Sequence, residues 1–340
     1  MGFLVDSKGV DEALRELSAE YRLFAPRRFA GGGAFSDTDC VRYGEIRSVS
    51  EIVFDEKSRF SFKEVLNPIS QTLFYFTEDT MQEPEAPSKG SLIFLRSCDL
   101  HAVRRLDEIY LRNGSPDYYY SQRRNKVRFA LMGCKECFES CFCVDMGTNR
   151  ANSYDFSIDP AERGYLLDCK AADCAAIFSA KAKAVLDVVP AFVTETKTHV
   201  SIPENLDARA AGSKMWDEYD KRCINCGRCN FSCPTCTCFT MQDLFYQDNS
   251  RAGERRRVAA SCMVDGFTDV AGGGSCRKTN GQRMRFKVLH KVLDFRRRSG
   301  FNMCVGCGRC DDVCPEYISF SHCVNRLADA MKEVAENDAK

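Results

Sequence analysis

The sequence predicts an α+β chain in two parts: a mixed α/β domain over residues 1–205 and a mostly helical domain over residues 215–340. Three observations point there. Apolar hexapeptides at Ser91–Arg96 and Val127–Met132 bracket a helical stretch, giving the strand–helix–strand order of an α/β unit. Two cysteine runs, Cys223–Pro234 and Cys304–Pro315, share the pattern C-x2-C-G-R-C-x3-C-P. Past Gln282 and again past Phe320, apolar residues recur at helical spacing.

Composition narrows the function. The 340 residues hold 48 basic and 48 acidic side chains, so no overall charge draws the chain to nucleic acid or to an anionic membrane. No apolar run approaches the ~18 residues of a membrane span. Met1–Asp6 has no basic stretch and no long apolar run, so no signal peptide is expected, and Asp6 breaks the myristoylation pattern. Of the 21 cysteines, many cluster at C-x2-C spacing, which indicates metal ligation over disulfides. A cytoplasmic protein working where oxygen is scarce is expected, because exposed clusters and thiolates oxidise.

Along the chain, residues 7–25 read as a helix, with Ser7 as cap, Val10, Leu14, Leu17 and Tyr21 on one face, and Pro26 as stop. Gly31–Gly33 lacks a nucleotide-loop context and reads as a turn. Gln71–Phe76 is strand-like, 81–90 is a loop, Ser91–Arg96 a buried strand, Asp99–Leu111 a helix and Val127–Met132 a second strand. Cys98 sits where the first of those strands meets its helix. Cys134, Cys137, Cys141 and Cys143 follow the second. If the strands are neighbours, their ends gather five thiols, enough for a third 4Fe-4S cluster; buried or zinc-binding cysteines are the alternative. Asp99 and His101 beside Cys98 suit a helix cap or a charge pair. Residues 154–167 read as a hairpin around Asp159-Pro160. Cys169 and Cys174 read as structural, 170–190 as an Ala-rich helix, and the polar 191–214 as a linker.

Trp216, the only tryptophan, reads as a packing anchor before the first cysteine run. The run pattern is that of two-cluster ferredoxins, where three cysteines hold one 4Fe-4S cluster and the fourth reaches to the other. One cluster is expected on Cys223, Cys226, Cys229 and Cys314, the other on Cys304, Cys307, Cys310 and Cys233. Gly227 and Gly308 let the backbone turn tightly. Structural zinc is the alternative, but four cysteines within eleven residues, twice over, overfill a zinc knuckle. Cys236 and Cys238 are spectators or substitutes for Cys233, and Cys262 and Cys276 have no metal spacing. The insertion between the runs reads as helical. Gln282–Arg298 forms a helix capped by Gly300. The triplets Arg255–Arg257 and Arg296–Arg298 read as solvated faces or as docking patches for an acidic partner. A last helix follows Phe320. This half is similar to the helical two-cluster domain of fumarate reductase iron-sulfur subunits. No flavin or nicotinamide fingerprint, nucleophile elbow or His-rich site is present. Cysteine-held clusters move single electrons and leave the chemistry to a partner.

Several stretches together carry a family resemblance. They are Arg222–Cys229, Cys233–Cys238, Gly253–Arg257, Ser261–Met263 and Cys304–Pro315, with Arg96–Asp99, Cys141–Cys143 and Met146–Asn149 in the first half. They resemble the iron-sulfur subunit of the anaerobic sulfite reductases over nearly the whole chain. The resemblance implies an electron-transfer subunit between an NADH-oxidising flavin subunit and a sirohaem subunit that reduces sulfite to sulfide, with no flavin or sirohaem on this chain. The first-half pattern is also similar to beta subunits of cytoplasmic hydrogenases, relays to a flavin partner, which gives the alternative function. In that wider family the residues matching Cys98, Cys134, Cys141 and Cys143 look like ligands of a third cluster, which leaves Cys137 spare.

Overall fold

The computed structural model describes residues 1–35 and 37–338. Strands of two main sheets organise it. In chain order they are β1 (Gly2–Val5), β2 (Tyr21–Phe29), β3 (Cys40–Glu45), β4 (Ser70–Phe76), β5 (Met81–Gln82) and β6 (Gly90–Leu95). Then come β7 (Val127–Met132), β8 (Phe156–Ala161), β9 (Gly164–Asp168), β10 (Ala184–Leu186), β11 (Phe239–Phe245) and β12 (Gly253–Ala259). The larger sheet has eight strands in the order β10-β1-β9-β8-β7-β6-β2-β3, and the smaller has four, β11-β12-β4-β5.

In the large sheet β2, β6, β7 and β8 are parallel neighbours, and antiparallel strands flank them. Parallel strands need both faces covered. Alternate residues meet that need: Leu92, Phe94, Ala130 and Met132 pack in the core that holds Val10, Leu14 and Phe178. Ile93, Leu95, Phe129 and Leu131 pack in the core of Val103, Leu106 and Tyr110, from the Ser97–Leu111 helix. Each buried Leu, Ile, Phe, Val or Met side chain among them contributes about 1.5–3 kcal/mol. Val305 and Cys307 of the second cysteine run lie in that same core.

Several expectations are corrected. The first helix spans Ser7–Leu17, and its cap is Asp6, whose carboxylate accepts from Gly9 N at 2.8 Å. Pro26 does not stop a helix; it lies inside β2. Its carbonyl accepts from Val53 N, away from β3, and β2 stops pairing with β6 at Phe24, so the missing N–H breaks no ladder. The hairpin turn falls at Glu162-Arg163, because Asp159 is buried within β8 and accepts from Ala191 N at 3.1 Å. The Ala-rich helix covers only Ala172–Ser179; Lys183 N already bonds to Leu4 O, and β10 follows. Residues 191–200 are fastened to the 134–149 loop through Cys134 N to Ala191 O (2.9 Å), Asn149 Nδ2 to Val193 O (2.8 Å) and Val200 N to Asp145 Oδ2 (2.8 Å).

The insertion is not wholly helical. β11 and β12 form an antiparallel hairpin, and β12 also pairs with β4 from the first half. Arg255–Arg257 therefore lie on a strand. Arg255 pairs with Asp243 at 2.6 Å, while Arg257 is buried against Asp117 at 2.7 Å and Gln71 at 3.1 Å. The helical expectation holds from Asn280. A Thr279–Gln282 capping box opens the Asn280–Leu289 helix, a π turn spans His290–Asp294, and Phe295–Ser299 ends on Gly300 at φ 79°. Trp216, Tyr219, Met284, Val288, Val292, Phe320, Leu327 and Met331 form the core here. Trp216 Nε1 donates to Ala210 O at 2.8 Å. Among the described residues no helix is long and apolar enough to cross a membrane.

Candidate metal centre

Each cysteine run loops into a short helix, Arg228–Ser232 and Arg309–Asp312. The cap residues Gly227 and Gly308 take φ of 71° and 69°, a left-handed turn that a side chain resists. The turns aim amides at sulfur. Gly306 N donates to Cys304 Sγ at 3.5 Å and Ile318 N to Cys314 Sγ at 3.3 Å.

Cys223, Cys226, Cys229 and Cys314 line one cavity, together with Met263, Met284 and Lys287. Three members of the first run thus meet the fourth member of the second across a shared space, and the four thiols fit a 4Fe-4S cluster. The second set is drawn together around Cys233. Its charge pushes up the thiols of Cys304, Cys307 and Cys310, behind the larger effect of burial. Burial first of all carries Cys304 to about 12 and Cys307 to about 11. As bare thiols these groups stay protonated at neutral pH, so loading a metal must release protons. Among the described residues no three His, Cys, Asp or Glu side chains converge on a single ion. The corners of a cubane stand apart and need no such convergence.

β6 and β7 are parallel neighbours, so their carboxyl ends do bring Cys98 and the 134–143 loop together. This is where open α/β sheets place their sites. Burial raises the Cys98 thiol, and Cys307 and Cys143 add to it. The Cys143 thiol reaches about 12 through burial, then Cys141 and Cys134. Cys98, Cys134, Cys141 and Cys143 therefore share one neighbourhood, and Cys307 borders it. Cys137 lines a cleft with Phe54, Arg96, Lys135 and Asp159. The free thiols of Cys236 and Cys233 are hydrogen-bonded to each other, as are those of Cys238 and Cys262, and Asn230 Nδ2 donates to Cys262 Sγ at 3.1 Å. Cys236 thus lies beside Cys233 of the second set, and Cys238 beside Cys262.

The 140–143 backbone lies directly on the second run. Phe142 N donates to Gly306 O at 2.8 Å. A Cβ on Gly306 would meet the Phe142 carbonyl at 2.6 Å, and one on Gly308 would collide with Ser140 O. Arg309 locks the contact. Fully buried, it donates to both Asp99 oxygens at 2.6 and 3.0 Å and to Ser58. Asp99 thus pairs with a charge and does not cap. His101 Nε2 instead lies 2.8 Å from Arg150 O.

Sequence reasoning passed over the cations. Arg96 donates to Cys134 Sγ at 3.3 Å, Lys57 lies 3.9 Å from Cys141 Sγ, and Lys291 donates to Cys233 Sγ at 3.3 Å. Lys63 reaches the Cys236 carbonyl at 2.9 Å. One signal was available: Lys287 and Lys291 fall inside the apolar stripe of Met284, Val288, Val292 and Phe295, where a lysine needs a buried partner.

Residues 222–318 match the family described as a 4Fe-4S dicluster domain. The chain is 30% identical over 305 residues to sulfhydrogenase 2 subunit beta of Pyrococcus furiosus, an alignment covering 84% of this chain and 88% of that one. No solved structure matches it. The cysteine arrangement and these matches agree on 4Fe-4S clusters and on an electron-transfer role within an oxidoreductase complex. The chain belongs to the same family as that sulfhydrogenase beta subunit.

Proposed function

We propose that this chain is the electron-relay beta subunit of a cytoplasmic hydrogenase-type complex. It passes electrons between a flavin subunit that handles NADH and a partner that carries the catalytic metal. One observation carries the proposal. The second cysteine set borders both others: it shares Lys287 with the first and has backbone contact with the third. That is a row, as a wire requires.

Cys223, Cys226, Cys229 and Cys314 would hold the first cluster, and Cys304, Cys307, Cys310 and Cys233 the second. Cys98, Cys134, Cys141 and Cys143 would hold a third. Bound clusters supply one-electron oxidation and reduction. The chain's own residues hold the sulfurs, exclude water and provide buried positive charge. Leu100, Val103, Val305 and Phe142 are buried around the junction of the second and third sets.

The sulfite reductase reading is the second one, favoured by Gly253–Arg257 and Ser261–Met263. Those matches have structural reasons as well: Arg257 is a buried ion-pair residue, and Ser261 Oγ accepts from Met263 N at 3.1 Å. The 30% relative weighs toward hydrogenase.

Metal analysis of the complex, purified without oxygen through a tag on this chain, separates them. Roughly eight to twelve irons per chain are expected at four per cluster. Nickel in the same sample supports the hydrogenase reading; sirohaem supports sulfite reductase. Zinc in place of iron makes the chain a stapled adaptor and ends both. Cys310→Ala is expected to remove about four irons and to stop electron flow; unchanged iron and flow would sink the ligand assignment.

A further inference from the structure

Lys287 and Lys291 stand four residues apart on one face of the helical stretch that opens at Thr279. Both are buried, at 5% and 4% exposure, among apolar neighbours such as Met284, Val288 and Val292. Taking an ammonium out of water costs several kcal/mol unless opposite charge meets it. What faces these two is cysteine sulfur. Lys291 donates to Cys233 Sγ at 3.3 Å and to Thr235 Oγ1 at 3.0 Å. Its carbonyl accepts from Met303 N at 2.8 Å and Cys304 N at 3.4 Å, so the residue grips the second set from both ends. The π turn at His290–Asp294 interrupts the helical ladder at this residue, as such turns do at functional positions. Lys287 lines the cavity of Cys223, Cys226, Cys229 and Cys314, and it faces Cys310 of the second set as well.

We propose that Lys287 and Lys291 are positioning residues that set the reduction potentials of the two dicluster sites. Lys291 acts on the second site alone and Lys287 on both, so the second site is the easier to reduce. This rests on the ligand assignment above. Adding an electron makes a site more negative, and a fixed positive charge in a water-poor interior stabilises that form. The second site has Lys291 and a share of Lys287, with the buried Lys63 at the Cys236 carbonyl offsetting the Asp311 carboxylate 3.4 Å from Cys310 Sγ, whereas the first has only its share of Lys287. Arg309 does not alter the ranking, because Asp99 neutralises it. An electron then rests in the middle of the row.

The test is an EPR-monitored redox titration of the tagged complex, with iron per chain measured for each variant. The second-site couple is the one missing from Cys310→Ala. In Lys291→Gln its reduction equilibrium is expected to fall about tenfold, a 59 mV drop for a one-electron couple, while the first couple stays. Lys287→Gln should lower both, and Lys291→Arg should recover most of the Lys291→Gln shift. Full iron with both couples unmoved in Lys291→Gln overturns the proposal, as does Lys291→Arg shifting as far as Lys291→Gln. If Lys291→Gln loses iron, Lys287→Gln decides: both couples fall, or the proposal fails. Cys310→Ala keeping its iron and both couples defeats the ligand assignment instead, a result no lysine variant can mimic.

Discussion

Asp99 and Arg309 show what one residue pair does across 210 positions of sequence. Neither could be buried alone, since an unpaired charge in the core is among the costliest faults a fold can carry. Asp99→Asn should destabilise the iron-loaded chain by about 3–5 kcal/mol, seen as an earlier midpoint in anaerobic urea unfolding. The double change Asp99→Leu with Arg309→Met should recover much of that, because it leaves no orphan charge. A single-variant loss under ~1 kcal/mol, the range of an exposed pair, would mean that the pair is solvated. The sequence offered Arg309 only as part of a Gly-Arg repeat and Asp99 only as a neighbour of Cys98. Nothing local joins them, since the contact exists only once β6 delivers its end to the second run.

Elements were legible where burial imposes a period. Ser91–Arg96 and Val127–Met132 are continuous apolar runs because both faces of a parallel strand are covered, and both were found within a residue. β11 was missed for the opposite reason. All seven of its residues are exposed, so Phe239–Phe245 shows no inside–outside alternation to read. β2 hid behind Pro26, and β12 behind an arginine triplet whose members point to different partners. The helix after Thr279 was found, but its π turn left no mark in the apolar spacing. That turn begins at His290, which stacks on Phe286 at 5.2 Å. Burial first, then the nearby Lys291, Arg298 and Arg277, pulls the imidazole down to about 4. The folded state thus holds the ring neutral. Below pH ~6.5 the unfolded chain takes up a proton that the folded chain refuses. This contribution is complete above that pH and is lost as pH falls toward 4. From pH 7 to pH 5 it amounts to about 2 kcal/mol at 1.36 kcal/mol per unit. Urea unfolding at the two pH values should show that difference shrinking in His290→Phe; an equal pH dependence in both proteins would refute it.

At the scale of the molecule, the two halves are laced. β12 completes a sheet begun by β4, and Val305 and Cys307 sit in the core of the first half. Residues 215–340 expressed alone should therefore aggregate or lose their iron, while co-expression with 1–205 should rescue them. A soluble, fully iron-loaded fragment would contradict this. The sequence suggested a cut near 205–215 because the intervening stretch is polar. It could not reveal that residues 191–200, just before that cut, are held by Asp145, Asn149 and Cys134.

The register of β4 with β12 also has a consequence in time. Gly253 meets Phe76, and Arg257 meets Gln71. A ribosome adding about 5–20 residues per second finishes β4 roughly ten seconds or more before its partner strand emerges. Until then the nascent chain shows an open strand edge carrying Leu73, Phe74, Tyr75 and Phe76. An edge of that kind recruits other strands. The interval between making β4 and making β12 is thus the moment at which this protein depends most on being shielded in the cell.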